Sequence, residues 1–212
     1  SAEDNLQDKS VLNIEDIIEF ANTVDIERVK PLLDNQIRCN SAIAEEGLRG
    51  SWGANVGSVL LAEFGSDIKN EARAYAAAAS DARMSGCELP VVIVSGSGNQ
   101  GVTASVPVIR YARHIGVGDE QLYRALLVSD RVTILQKTGI GRLSAYCGAI
   151  SAGCGAGAGI AYLLGGDYRA IAHTIVNAVA ILSGTICDGA KPSCAAKIAS
   201  AVEAGILGYY MY

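Results

Sequence analysis

From Leu143 to Gly166 the chain carries no charged residue and consists mostly of Ala, Gly, Ser and Cys. An apolar helical run of this length belongs either in a membrane or in the interior of a protein, where it is buried on all sides. Residues this small contribute weak insertion energy, and Arg142 and Asp167 flank the run closely. The spacings Gly153/Gly157 and Gly155/Gly159 are the small-xxx-small pattern through which helices approach one another, a device that buried soluble helices also use. The run is therefore expected to be a buried central helix, with no membrane as partner.

Composition extends this reading to the whole chain. Half of the 212 residues are hydrophobic, enough for a sizeable core and against disorder as the main state. Aromatics make up only 6% while glycines number 24, so little side chain separates the packed elements. Lys and Arg total 17 against 22 Asp and Glu, for a formal charge of -5, and no basic run tracks a phosphate backbone. Nucleic acid is excluded as a partner class.

Helical periodicity or composition places helices over Asn13–Val24, Asp25–Gly50, Asn55–Glu63, Asp67–Met84, Val102–His114, Asp119–Ser129, Leu143–Leu164, Asp167–Gly184 and Cys194–Tyr209, with glycines as punctuation. Leu89–Val94 reads as a short strand, a buried extended segment or a helix start. The fold class expected is mainly α: a multi-helix domain around a buried central helical hairpin, without internal repeat or linker. Residues 1–12 read as a disordered or appended N-terminus, and residues 13–212 as one helical domain. Ser1-Ala2-Glu3-Asp4 lacks an initiating Met and a signal-peptide pattern, and the end at Gly208–Tyr212 is apolar, so the chain reads as part of a longer protein.

Six cysteines are too few for a disulfide scaffold in a chain this long, so reduced thiols in a cytoplasm are expected. If the two helices on either side of Gly165-Gly166 form an antiparallel hairpin, Cys147 lies 19 residues before the turn, roughly 28 Å of helix, and Cys187 lies 21 residues after it, roughly 31 Å. Both return to the same end. The loop from Asp188 to Ser193 curls Cys194 toward them, so three sulfurs converge, while Cys154 sits about 10 Å away, two helical turns into the helix. Three convergent thiolates suit a Cys₃ zinc site or an iron-sulfur cluster with one iron lacking a protein ligand, and spacing alone does not separate these. Ordinary buried cysteines in an Ala/Gly-rich core are the alternative, favoured for Cys39, Cys87 and Cys154.

The segment Gly96–Thr103 mimics a Walker A spacing, but Val102 stands where the phosphate-binding lysine belongs. What remains is a run of backbone N–H groups with Ser95, Ser97, Asn99 and Gln100 at a helix entry, suited to a small carboxylate. His114 and His173 are lone histidines, and Arg83 and Lys137 read as structural ion-pair partners.

Four segments in order, Ser80-Asp-Ala-Arg-Met-Ser-Gly86, Ser95-Gly-Ser-Gly-Asn-Gln-Gly101, Arg142-Leu-Ser-Ala-Tyr-Cys147 and Ile186-Cys-Asp-Gly-Ala-Lys-Pro-Ser-Cys194, give the chain a likeness from about Ile14 to Tyr209. It resembles the iron-sulfur L-serine dehydratase α-chain family, and within it the L-cysteine desulfidase-like branch, to which the short loop between Cys187 and Cys194 also points. The resemblance implies that Cys147, Cys187 and Cys194 hold a [4Fe-4S] cluster and that Ser97, Gly98, Asn99 and Gln100 bind the substrate carboxylate. It implies a lyase that works without pyridoxal phosphate, performing β-elimination on L-cysteine or L-serine to give pyruvate and ammonia with release of H₂S or water. The family's Cys-Thr-Glu-Pro motif, whose cysteine is the proposed base, has no counterpart here. The base is therefore expected in a missing N-terminal half, and this part alone is expected to be inactive. The competing class is a non-catalytic module that binds a small amino acid or senses redox state through a zinc or iron-sulfur site. The partners expected are a small amino acid and the missing half; a homo-oligomer is compatible with the same sequence.

Overall fold

The computed structural model describes residues 11–141 and 144–212. The described residues form nine α-helices: α1 (Ile14–Thr23), α2 (Ile26–Arg49), α3 (Val56–Phe64), α4 (Ile68–Met84), α5 (Gly98–Ile115), α6 (Asp119–Ile140), α7 (Gly148–Leu163), α8 (Tyr168–Ile181) and α9 (Cys194–Tyr210). Most of the expectation for residues 1–12 falls on residues 1–10, which lie outside the described residues, as do Arg142 and Leu143. Among the described residues, no helix is long and apolar enough to cross a membrane.

Helix α7 is the inner arm of the α7–α8 hairpin and packs against α5, α6, α8 and α9. Glycine makes this crowding possible on two faces. On one, a Cβ at Gly153 would run into the Ala201 carbonyl and one at Gly157 into Gly205, so α7 and α9 lie backbone to backbone in parallel register. On the other, a Cβ at Gly155 would strike Ser129 and Thr133, and one at Gly159 would strike Ala125, so α6 runs antiparallel against the same helix. Apolar side chains at Val102, Val106, Ile109, Leu126, Ile160, Ile171 and Ile198 fill what remains of the core.

Three boundaries differ from the sequence expectation by four residues or more, each for a local reason. Helix α5 begins at Gly98 rather than Val102, because Ser97 caps it and accepts a hydrogen bond from the Gln100 N–H at 3.2 Å. Helix α6 continues past Ser129 to Ile140, since Ser129 Oγ donates to the Ala104 carbonyl (2.7 Å) and Asp130 accepts from Gln36 Nε2 (3.0 Å). Both polar side chains are satisfied across the packing face without interrupting the helix. Helix α7 starts only at Gly148, because Tyr146 forms an antiparallel bridge with Ile186.

Leu89–Val94 is neither strand nor helix, and unlike the buried segment expected it leaves Leu89 and Ile93 exposed. Its partner is a side chain: Asn40 of α2, fully buried, accepts from the Val92 N–H (2.8 Å) and donates to the Val92 carbonyl (3.1 Å) and to Ser105 Oγ (2.8 Å). One amide thus satisfies both backbone groups of Val92, as a neighbouring strand would, and anchors the segment that leads into α5.

Because α7 packs through its glycines, their substitution reverses the usual helix preference. Gly153→Ala is expected to lower the unfolding free energy by roughly 1–3 kcal/mol through overpacking. Gly139→Ala on α6, with no atom within 4 Å of the new Cβ, is expected to raise it by up to about 1 kcal/mol. Denaturant unfolding of the two variants checks the signs; a stabilised Gly153→Ala would contradict this packing.

Candidate active site at three helix N-termini

Helices α5, α7 and α9 begin at one end of the molecule, and the residues at their starts line one cavity of about 200 Å³. Cys147 is the N-cap of α7, Cys194 opens α9, and Ser97 is the N-cap of α5. Cys187, Gly189 and Ala190 close the cavity from the loop before α9, and Arg83 enters from the last turn of α4. Each helix N-terminus carries the equivalent of about half a positive charge and several unpaired N–H groups, so three together favour an anion or a thiolate.

Local backbone pairing sets the sulfur positions. The Cys147 N–H donates to the Thr185 carbonyl (3.1 Å) and the Cys187 N–H donates to the Ala145 carbonyl (2.6 Å), which tie the chain entering α7 to the chain leaving α8. The loop from Cys187 to Cys194 is braced by Asp188, whose carboxylate accepts from Lys197 Nζ (2.6 Å) and Lys191 Nζ (3.1 Å). These two ammonium groups hold Asp188 well below the usual carboxylate range. Lys197 Nζ also donates to the Ile186 carbonyl (3.3 Å), and the Lys191 N–H donates to Cys194 Sγ (3.5 Å).

The cysteine trio shares this cavity with only part of the glycine-rich segment. Ser97 and Asn99 are on its wall; Gly98 and Gln100 are buried behind it. Gly98 lies beneath Arg83, whose Nε occupies the space a Cβ would need. Gln100 Oε1 accepts from the Ser95 N–H (3.0 Å), while its Nε2 is buried without a partner among the described residues, 3.9 Å from where a Cβ on Gly148 would stand. An unused buried donor beside the start of α7 is costly unless an acceptor arrives there. Cys154 lies inside α7, fully buried, where burial pushes its thiol up to about 12, and it is not on the cavity wall. Cys39 and Cys87 also lie elsewhere.

Arg83, expected to be a structural ion-pair partner, stands on this wall: it has no carboxylate within ion-pair distance among the described residues and donates from Nη1 to Asn99 Oδ1 (3.2 Å). Lys137, His114 and His173 are not on the cavity wall; His173 stacks on Tyr212 with ring centroids 5.1 Å apart. The lining includes no histidine and no carboxylate, and its lysine, Lys197, is held by Asp188. Among the described residues, no three His, Cys, Asp or Glu side chains meet closely enough to share one metal ion.

Comparison with known proteins bears on what such a cavity is for. A family model described as serine dehydratase alpha chain matches residues 4–212. The chain belongs to the serine dehydratase alpha-chain family. Among curated relatives, a UPF0597 protein of Desulfitobacterium hafniense is 67% identical over 207 residues, covering 98% of this chain and 48% of the relative. A UPF0597 protein of Lachnoclostridium phytofermentans is 58% identical over 205 residues, covering 97% and 49%. One of Bacteroides thetaiotaomicron is 40% identical over 205 residues, covering 94% and 48%. This serine dehydratase alpha-chain family member therefore spans about half the length of the curated relatives it matches. No solved structure matches it. Membership supports a lyase-type subunit.

Burial and ionisation order the thiols. Cys187 is exposed, Cys147 is buried with its thiol pushed up chiefly by that burial, and Cys154, more deeply buried still, lies against the neighbouring space between α6, α7 and α8. In the metal-free chain, iodoacetamide is expected to alkylate Cys187 first, Cys147 more slowly, and Cys154 only on unfolding. Peptide mass spectrometry over time checks the order; Cys154 reacting as fast as Cys187 would place it wrongly.

Proposed function

We propose that this chain is the cluster-binding part of a lyase that removes the β-substituent of a small amino acid, L-cysteine or L-serine, without pyridoxal phosphate. The observation that carries the reading is the cavity shared by Cys147, Cys187, Cys194, Ser97, Asn99 and Arg83. Its donor chemistry fits a [4Fe-4S] cluster: three cysteine sulfurs on the wall of one cavity match the protein ligands of a cluster with one iron lacking a protein ligand. The unpartnered Gln100 Nε2 beside Gly148 gives an acceptor at that end of α7 a waiting donor. Cys147, Cys187 and Cys194 would hold the cluster, which when bound supplies Lewis acidity at an iron without a protein ligand.

The remaining work falls to the chain's own residues. Arg83, with no competing carboxylate, and the N-terminal N–H groups of α5 hold the substrate carboxylate between them, with Ser97 and Asn99 fixing its orientation. Elimination takes the α-proton to a base and releases the β-substituent as H₂S or water; the aminoacrylate left behind hydrolyses to pyruvate and ammonia. No described lining residue is an unpaired carboxylate, histidine or lysine, and we assign the base to the part of the longer protein that lies outside this chain, in line with relatives about twice its length.

Anaerobic reconstitution with iron and sulfide tests this directly. The wild-type chain is expected to turn brown, and Cys147→Ser, Cys187→Ser or Cys194→Ser to abolish the colour, whereas Cys154→Ser retains it. The brown chain alone is expected to release no pyruvate from L-cysteine or L-serine. A colourless protein that binds zinc, or colour lost with Cys154→Ser and kept with Cys147→Ser, would overturn the reading.

A further inference from the structure

A second groove, about 290 Å³, lies against the cysteine cavity, between the end of α6, the start of α7 and the end of α8. Among the described residues its lining carries no charged side chain and includes Ile140, Tyr146, Ile150, Val179 and Leu182 beside Gln136 and Cys154. Cys147 belongs to the walls of both spaces. The bridge that positions Cys147 and Cys187 also turns Tyr146 and Ile186 to solvent, 57% and 62% exposed, one residue away from each cysteine. Helix α8 carries the apolar surface outward: Val176 is 64% exposed, Val179 38% and Ile181 40%. Over its 14 residues Arg169 is the one formally charged side chain, although the solvent face of a surface helix ordinarily carries charge at each turn. An apolar surface of this kind, continuous with a functional cavity, marks a place where another body packs.

We propose that this groove and the outer face of α8 seat the other half of the longer protein represented by the UPF0597 relatives. Those relatives contain about as much chain again as the part matched here, which is ample for an interface of standard size, roughly 800 Å² per partner. A groove lined, among the described residues, by uncharged and largely apolar side chains suits the apolar ridge of an intramolecular partner, which needs no electrostatic steering to find its site. The shared wall at Cys147 puts a body seated here at the mouth of the cysteine cavity. This last link rests on the proposed function, because that reading requires a base from beyond the lining; the docking surface itself does not depend on the cluster.

Cysteine scanning with maleimide, on metal-free protein and read peptide by peptide, tests the docking alone. Val179→Cys in the isolated chain is compared with the matching substitution in the full-length Desulfitobacterium hafniense relative, and Val59→Cys, on the exposed side of α3, serves as reference. Labelling at position 179 is expected to be about tenfold or more slower in the full-length protein, as for a site inside an interface that excludes water, with position 59 unchanged. Equal rates at 179 would overturn the proposal, as would equal slowing at both positions. Slow labelling already present in the isolated chain would also overturn it: independent of concentration, it would mean that a segment of this chain fills the groove, and rising with concentration, that a second copy does. Since no cluster is present, a failed cluster reconstitution and a failed docking test remain separate results.

Discussion

The rest of the structure depends on backbone contact between parallel helices. Gly153 and Gly157 on α7 face Ala201 and Gly205 on α9 with a constant offset, and Gln100 and Val108 of α5 approach Gly148 and Gly159 of α7 in the same direction. Parallel helices side by side place like dipole ends together, an arrangement that costs electrostatic energy unless something anionic sits at the positive end. Here the positive ends converge on one cavity whose wall carries three thiols, a lysine held by Asp188 and an arginine with no carboxylate partner among the described residues, and a buried amide donor unused by those residues lies behind it. The packing that fills the core and the electrostatics that make the site are two results of the same glycine pattern.

A division of labour follows from this geometry. Side chains that would compete for an anion are kept away from the cavity wall: Asp188, the nearby carboxylate, is held by Lys191 and Lys197 and serves to brace the loop between two of the cysteines. Asn40 fixes Val92 and so the segment entering α5, and the Tyr146–Ile186 bridge fixes the segments carrying Cys147 and Cys187. The cavity wall is thus braced from several elements, and among the described residues it presents no histidine, no carboxylate and no unpaired lysine, so under the proposed function the proton-transfer group lies elsewhere. In relatives twice as long, that missing function has a natural place to reside.

Much of this was legible in the sequence because it rests on spacing. The charge-free run with glycines four residues apart specified a buried helix, and the nearly equal arms on either side of Gly165-Gly166 brought Cys147 and Cys187 to one end. The missed features depend on side chains acting across the fold. Ser97-Gly-Asn-Gln100 is a capping sequence hidden by its glycines, so α5 was started four residues late. Ser129 and Asp130 look like a helix stop until Ala104 and Gln36 provide partners. The bridge at Tyr146 involves a single residue pair, too short to leave a strand pattern, and Arg83 gained importance only when its ion-pair shell proved empty of carboxylates.

The most direct test of the account is a crystal structure of the anaerobically reconstituted protein with anomalous scattering measured at the iron edge. The account predicts an iron signal at the shared N-terminal end of α5, α7 and α9, bonded to Cys147, Cys187 and Cys194, with one iron free of protein ligands and facing Ser97, Asn99 and Arg83. Iron held by Cys154 or Cys39, or a cluster with four protein ligands at this cavity, would contradict it.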